Sequence, residues 1–193
     1  MIKISSNISD TVVRVRDWVS RVAGPGRKKL YHEAAKDVSV LVINHLRRLN
    51  GWKHLWADKL HAQTTEFLAK AAENTSYGAD EDAGIVTIGA PGFGRAFHDV
   101  EIRPKNAAYL TIPASSEAYG KRAGMLASLG WKLWKPKGRK FLMGSTQDVE
   151  PKILYWLKES VHQRQDRELL PSDADMQRAA AGAIVAEIRR IAS

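Results

Sequence analysis

The sequence predicts an α+β fold: a mostly antiparallel sheet packed against N-terminal helices and a C-terminal helix, with projecting loops. Three observations predict it. An apolar period of helical spacing dominates the first third, short alternating runs cluster between Thr75 and Val161, and a capped amphipathic segment closes the chain. Helices first, strands next and a helix last is not the alternation of an α/β fold. The 193 residues suit a single domain, residues 1–193, with one buried core.

Ile2 to Ile8 alternates apolar and polar residues and reads as a short strand or an ordered arm spanning 1–9. Asp10 is a suitable N-cap for a first helix to about Ala23, with Val12, Val15, Val19 and Val22 at helical spacing and Trp18 beside them. Gly24-Pro25-Gly26 ends it. The second helix carries Leu30, Ala34, Val38, Leu41, Val42, His45, Leu46 and Leu49 on one face, and Asn50-Gly51 predicts a left-handed stop. After the aromatic, irregular stretch Trp52–Leu60, Leu60, Thr64, Phe67, Leu68 and Ala71 predict a further helix to about Glu73.

Strands follow. Thr75–Tyr77 and Gly84–Ile88 flank the acidic turn Ala79–Asp82, and Ala96–Ile102 supplies a third strand. Ile102 then leads to a turn at Pro104–Asn106, and Ala108, Leu110 and Ile112 alternate with Ala107, Tyr109 and Thr111, which predicts an antiparallel hairpin with Ala96–Ile102. Pro113 cannot donate to a ladder and ends that strand. Ser115 to Gly124 is a polar, basic, Tyr-bearing loop with no recognisable catalytic grouping. Trp131–Trp134 and Phe141–Met143 form another pair, split by Lys135-Pro136-Lys137-Gly138. Ile153–Leu157 admits helix or strand; between turn signals it reads as strand. Ser172, after Pro171, caps the last helix with Asp175 in a capping box, and Met176, Ala180, Ala183, Ile184, Ile188 and Ile191 form its buried stripe.

The pattern I-x-P-K-x-A-x-Y-L-x-I-P at Ile102–Pro113, followed by EAYGKRA at Glu117–Ala123, resembles the head–tail joining (tail-completion, or neck) proteins of Mu-like and related long-tailed bacteriophages. The resemblance covers the second half of the chain in motif, and the first half by order of elements. It implies a structural virion protein that forms an oligomeric ring, hexameric at family level, joining the capsid and portal side to the tail. The implied partners are copies of itself, a portal-side or head-completion protein, and a tail terminator or tail-tube protein. The implied location is the neck of the virion, assembled in the host cytoplasm. Ile112, Pro113, Tyr119, Lys121 and Arg122 would be the docking-loop residues. Lys135, Lys137, Arg139 and Lys140 would form a basic turn facing a channel or a partner, with non-specific contact to passing DNA.

Composition bounds the alternatives. Hydrophobic residues at 44% and charged residues at 26% are ordinary for a globular chain. No apolar run approaches the roughly 18 residues of a membrane span, and the first ten residues lack the apolar core of a secretory signal. No Cys is present, which removes disulfides and thiolate chemistry and fits a reducing compartment. The net charge of +9 points to nucleic acid, to an acidic protein surface, or to nothing beyond a solvated basic exterior.

Chemistry finds no foothold in the sequence. His45, His54, His61 and His98, with Asp58 and Asp99, lack the spacing of a metal-ligand motif, so no metal or cofactor is expected. Gly89–Gly94 looks superficially like a phosphate cradle, but Arg95 onward reads as strand, where a cradle needs a helix N-terminus. Ser115, Ser116 and Ser145 sit in no nucleophile elbow, and Asp80-Glu81-Asp82 is an exposed turn. The expectation is a non-enzyme. A small hydrolase built on His98-Asp99 would require a deep pocket with a perturbed group. The other alternative is a basic nucleic-acid-binding module, monomer or dimer, in which Trp131 and Trp134 stack on bases beside Lys132 and the basic turn. Against it, alternation buries Trp131 and Leu133 on one side of a hairpin.

Overall fold

The computed structural model describes residues 2–6, 11–15, 27–53 and 55–192. Its helices and antiparallel sheets make it a mixed α+β protein. Every strand pairing is antiparallel, but the strands form three sheets, where the sequence suggested one. Contacts divide the chain into two compact units. The first comprises Met1–Trp52, Glu66–Asp99 and Arg164–Ser193; the second comprises Lys53–Thr65 and Val100–Gln163.

In the first unit, β1 (Ile2–Ser6), β2 (Thr11–Val15), β3 (Thr75–Ala79) and β4 (Gly84–Ile88) form a sheet in the order β1-β2-β4-β3. The long helix α1 (Arg27–Asn50) packs against β3 and β4, α3 (Phe67–Glu73) and α5 (Asp173–Ala192). Its stripe of Leu30, Ala34, Val38, Val42, Leu46 and Leu49 is buried as the period predicts. Val86 and Ile88 bury from the alternating β4, and Met176, Ala180 and Ile184 from α5. Gly84 is required where α1 and β4 meet: a Cβ there would lie 2.6 Å from the Tyr31 carbonyl oxygen and 3.2 Å from the Ala35 Cβ. Ser172 Oγ accepts from the Asp175 N–H and donates to its carboxylate, so the predicted cap on α5 forms.

Several expectations for this unit are corrected. Thr11–Val15 pairs with both β1 and β4, so the helix expected from Asp10 to Ala23 is not formed at those residues. The β-branched run Thr-Val-Val fits a pleated, doubly paired strand better than a helix, where its χ1 freedom is lost. Asp10 and residues 16–23, Trp18 included, fall outside the described residues. Helix α1 ends at Asn50, but through N–H bonds from Gly51 to Arg48 and from Trp52 to Leu49, without the left-handed residue expected at Asn50-Gly51. The helix predicted from Leu60 to Glu73 begins only at Phe67, because His61 and Glu66 adopt left-handed φ of 49° and 52° and interrupt it. On α5, Ile188 is exposed and Glu187 takes the buried position, bonded to Arg190 and 3.1 Å from Lys29.

In the second unit, β6 (Leu110–Pro113), β7 (Lys132–Trp134), β8 (Phe141–Ser145) and β9 (Lys152–Lys158) form a sheet in the order β6-β9-β8-β7. Short β5 (Val100–Ile102) pairs with β10 (Val161–Gln163). The predicted hairpin between the Ile102 strand and the Ile112 strand is therefore absent. Instead Val100–Ile102 pairs antiparallel with Val161–Gln163, and Leu110–Pro113 pairs antiparallel with Tyr155–Lys158 in a separate sheet, the two segments divided by the excursion 103–109. Pro104 lacks the N–H for continuous pairing, and the apolar run of β9 offers β6 a better partner than β5 does. Strand β5 is also shorter than expected, since Phe93–Phe97 forms a 3-10 helix with Phe93 buried. The β7–β8 pair and the strand at Ile153–Leu157 form as predicted. Two short helices, α2 (Leu55–Lys59) and α4 (Ala123–Ser128), complete the unit.

Candidate docking surface

The second unit builds its candidate surface from a bulge. Leu142 opposes Tyr155 and Met143 opposes Ile153, so Leu154 is the extra residue of β9. Both Leu154 and Tyr155 consequently point inward, and both are fully buried with Ala118 and Leu126. Gly144 leaves the room this needs, since a Cβ there would overlap the Leu154 side chain. Tyr155 reaches through this core, and its hydroxyl donates to the Lys121 carbonyl at 3.0 Å. Burial pushes its phenol pKa up, which keeps that donor protonated.

The loop from Ser115 to Arg122 is thereby pinned from below. Ala118 plugs the core, and Lys121 N–H bonds back to the Ala118 carbonyl. Gly120 takes a φ of 69°, beside Thr65. Glu117 pairs with Lys152, whose ammonium lies 5.8 Å from the centre of the Trp131 ring. Burial is the largest influence and by itself would raise the Glu117 carboxyl, but the Lys152 bond and charge together with bonds from its own backbone N–H and from Ser115 outweigh it and hold the pKa at about 2.

Three of the five residues expected to dock meet at one groove beside this pinned loop. Ile112, Pro113 and Tyr119 line a groove of about 220 Å3 with Trp56 and Leu60. Trp56 is 60% exposed, with the Lys59 ammonium 5.4 Å from its ring centre. The other two do not line the groove. Lys121 Nζ turns back to the Glu117 carbonyl, and Arg122 stands exposed at the start of α4, its carbonyl accepting from Met125 and Leu126.

The basic turn is tight, closed by Arg139 N–H on the Pro136 carbonyl with Gly138 at φ 73°. Its four cations diverge. Lys135 lies 4.9 Å from the Tyr109 ring centre, and Lys140 pairs with Glu159 at 2.8 Å, which raises the lysine pKa and lowers that of the glutamate. Lys137 and Arg139 are exposed. Trp131 and Leu133 pack against the core, as the alternation of the strand predicts, so Trp131 is committed to packing and not offered as a stacking platform.

Two of the remaining chemical candidates of the sequence, His45 and Asp99, hold backbone groups in place. His45 bonds to the Glu168 carbonyl and to Arg48, and the Asp99 carboxylate accepts from the Gln165 N–H. His54 falls outside the described residues. Among the described residues, no three His, Asp or Glu side chains form a group able to hold a metal. No described helix is long and apolar enough to cross a membrane.

Sequence reasoning passed over Trp56, Leu60 and Trp156. Trp56 sat in a stretch without periodicity and Leu60 read as the first apolar position of a helix, so neither pointed to a surface. Trp156 was legible: with Tyr155 and Leu157 facing in, strict alternation puts it outside. Comparison with known protein families, with characterised proteins and with solved structures gives no match for this chain.

Proposed function

We propose that this chain is a ring-forming structural subunit of the head–tail connector of a long-tailed bacteriophage, acting by binding and not by catalysis. One observation carries the reading: the residues of the phage-like segment, Ile112 and Pro113 on β6 and Tyr119 on a loop whose backbone is fixed from below, share one apolar groove with an exposed Trp56 on α2. An exposed indole beside a preformed apolar cleft is the composition of an interface core, and rigidity lowers the entropy lost on docking. The occupant is a second copy of the chain, because a ring repeats one such contact around its axis and each copy supplies both halves. The exposed Lys121 and Arg122 form the polar rim of that contact. The ring in turn would meet a portal-side or head-completion protein on one face and a tail terminator or tail-tube protein on the other.

Native mass spectrometry of the purified protein tests this, with wild type compared to a Trp56→Ala/Tyr119→Ala double variant. A closed oligomer, hexameric by the resemblance, that dissociates in the variant supports the proposal. A wild type that stays monomeric at about 100 μM, or an oligomer indifferent to both substitutions, overturns it.

A further inference from the structure

The sheet of the second unit carries another surface, on the row Ile112–Trp156–Phe141 across β6, β9 and β8. Trp156 is the centre of that row, and 45% of it is exposed. Phe141 packs edge-on against it, with ring planes at 84° and centroids 6.0 Å apart, which fixes the indole without covering it. Beside the pair runs an open groove of about 560 Å3, lined by Arg139, Lys140, Lys158 and Glu159 as well as the two aromatics. Three cations therefore surround one oriented indole, with one carboxylate, itself paired to Lys140, opposing them.

We infer that this groove binds single-stranded nucleic acid without reading its sequence, with a base stacked on Trp156 and phosphates held by Arg139, Lys158 and, in exchange for Glu159, Lys140. Charge complementarity selects a polyanion, and the indole selects among polyanions. An acidic peptide satisfies the cations but has no planar group for Trp156, and a duplex keeps its base faces stacked inside. A single strand satisfies both. No group in the groove is positioned to read base edges, so recognition stops at charge and stacking. This goes beyond the ring reading: the residues that would hold the strand, Trp156, Arg139, Lys158 and Lys140, do not line the Trp56–Tyr119 groove, and binding requires no assembly.

Fluorescence anisotropy of a labelled thymidine oligonucleotide of about a dozen nucleotides, long enough for one such site, provides the test. Trp156→Ala is expected to weaken binding roughly 5- to 150-fold, the range for losing one base–aromatic stack, while Trp156→Phe stays within a few-fold of wild type. With three phosphates neutralised, log affinity should fall against log salt with a slope of about −2, and Arg139→Glu/Lys158→Glu should flatten it. Glu159→Gln should tighten binding by freeing Lys140. The charge variants alter exposed side chains and decide the matter even if Trp156→Ala fails to fold. The inference is overturned if the oligonucleotide does not bind at low salt, if Trp156→Ala binds like wild type, or if a duplex or a polyglutamate peptide of equal charge competes equally well.

Discussion

Replacing Tyr155 with Phe isolates the bond that pins the loop from Ser115 to Arg122. Tyr155 is fully buried and its hydroxyl holds the Lys121 carbonyl at 3.0 Å, while phenylalanine would keep the ring in the same core. Removing the hydroxyl forfeits a net contribution of about 1 kcal/mol, near the low end for a lost partner because water can reach a carbonyl whose residue is exposed. The loss is local to the segment from Ser115 to Arg122, so the opened population of that segment rises about 5-fold. Trypsin reads this population directly, since Lys121 and Arg122 are both cleavage sites and proteolysis follows the equilibrium fraction open when reclosing is fast. Cleavage after Lys121 and Arg122 should therefore run about 5-fold faster in Tyr155→Phe. Cleavage at Lys105, in the excursion between β5 and β6, should not change. Equal loop cleavage in variant and wild type would refute the pinning argument, and equal acceleration at both places would show a general loss of stability instead.

Three further outcomes follow from the same packing. Gly84→Ala forces a methyl to 2.6 Å from the Tyr31 carbonyl and should cost about 1–3 kcal/mol in urea unfolding, whereas Gly78→Ala on the neighbouring strand meets nothing within 4 Å and should cost far less. Ser172→Ala removes the cap of α5 and should cost about 1 kcal/mol; an unchanged midpoint would show that the cap is dispensable. Glu117 and Glu187 both have folded pKa values near 2, Glu117 through Lys152 working against burial, and Glu187 through Arg190 and Lys29. Because these lie below the ordinary carboxylate range of about 4.3, the stabilisation is complete above that pH and is lost as pH falls toward 2. Thermal melts should decline across that window, less steeply in Glu187→Gln, and an identical decline in that variant would contradict the assignment.

How much of this was legible in the sequence depended on whether local pattern and tertiary pairing agreed. Helix α1 was plain because its buried face repeats for 24 residues and nothing competes with it. Strand β4 was plain because Gly84, Val86 and Ile88 alternate cleanly with Ile85 and Thr87. Thr11–Val15 misled because valines at helical spacing are also good strand residues, and the deciding term was pairing on both edges, which no local window contains. The hairpin at Ile102–Ile112 misled for the same reason: proximity in sequence favoured β5 with β6, while the partners lay 42 to 63 residues away in β9 and β10. For the candidate surface, three residues singled out from the Pro- and Tyr-bearing motif, Ile112, Pro113 and Tyr119, share the groove, and Lys121 and Arg122 do not. Trp56, from a non-periodic stretch, and Leu60, which read as the start of a helix, complete the groove, and only the folded chain brings them beside Ile112 and Tyr119.

The most direct measurement is an electron cryomicroscopy reconstruction of the assembled particle. The account predicts a closed ring in which Trp56, Ile112, Pro113 and Tyr119 of each copy are covered by the adjacent copy. A ring in which that groove faces solvent, or a solitary protein at every concentration reached, would contradict it.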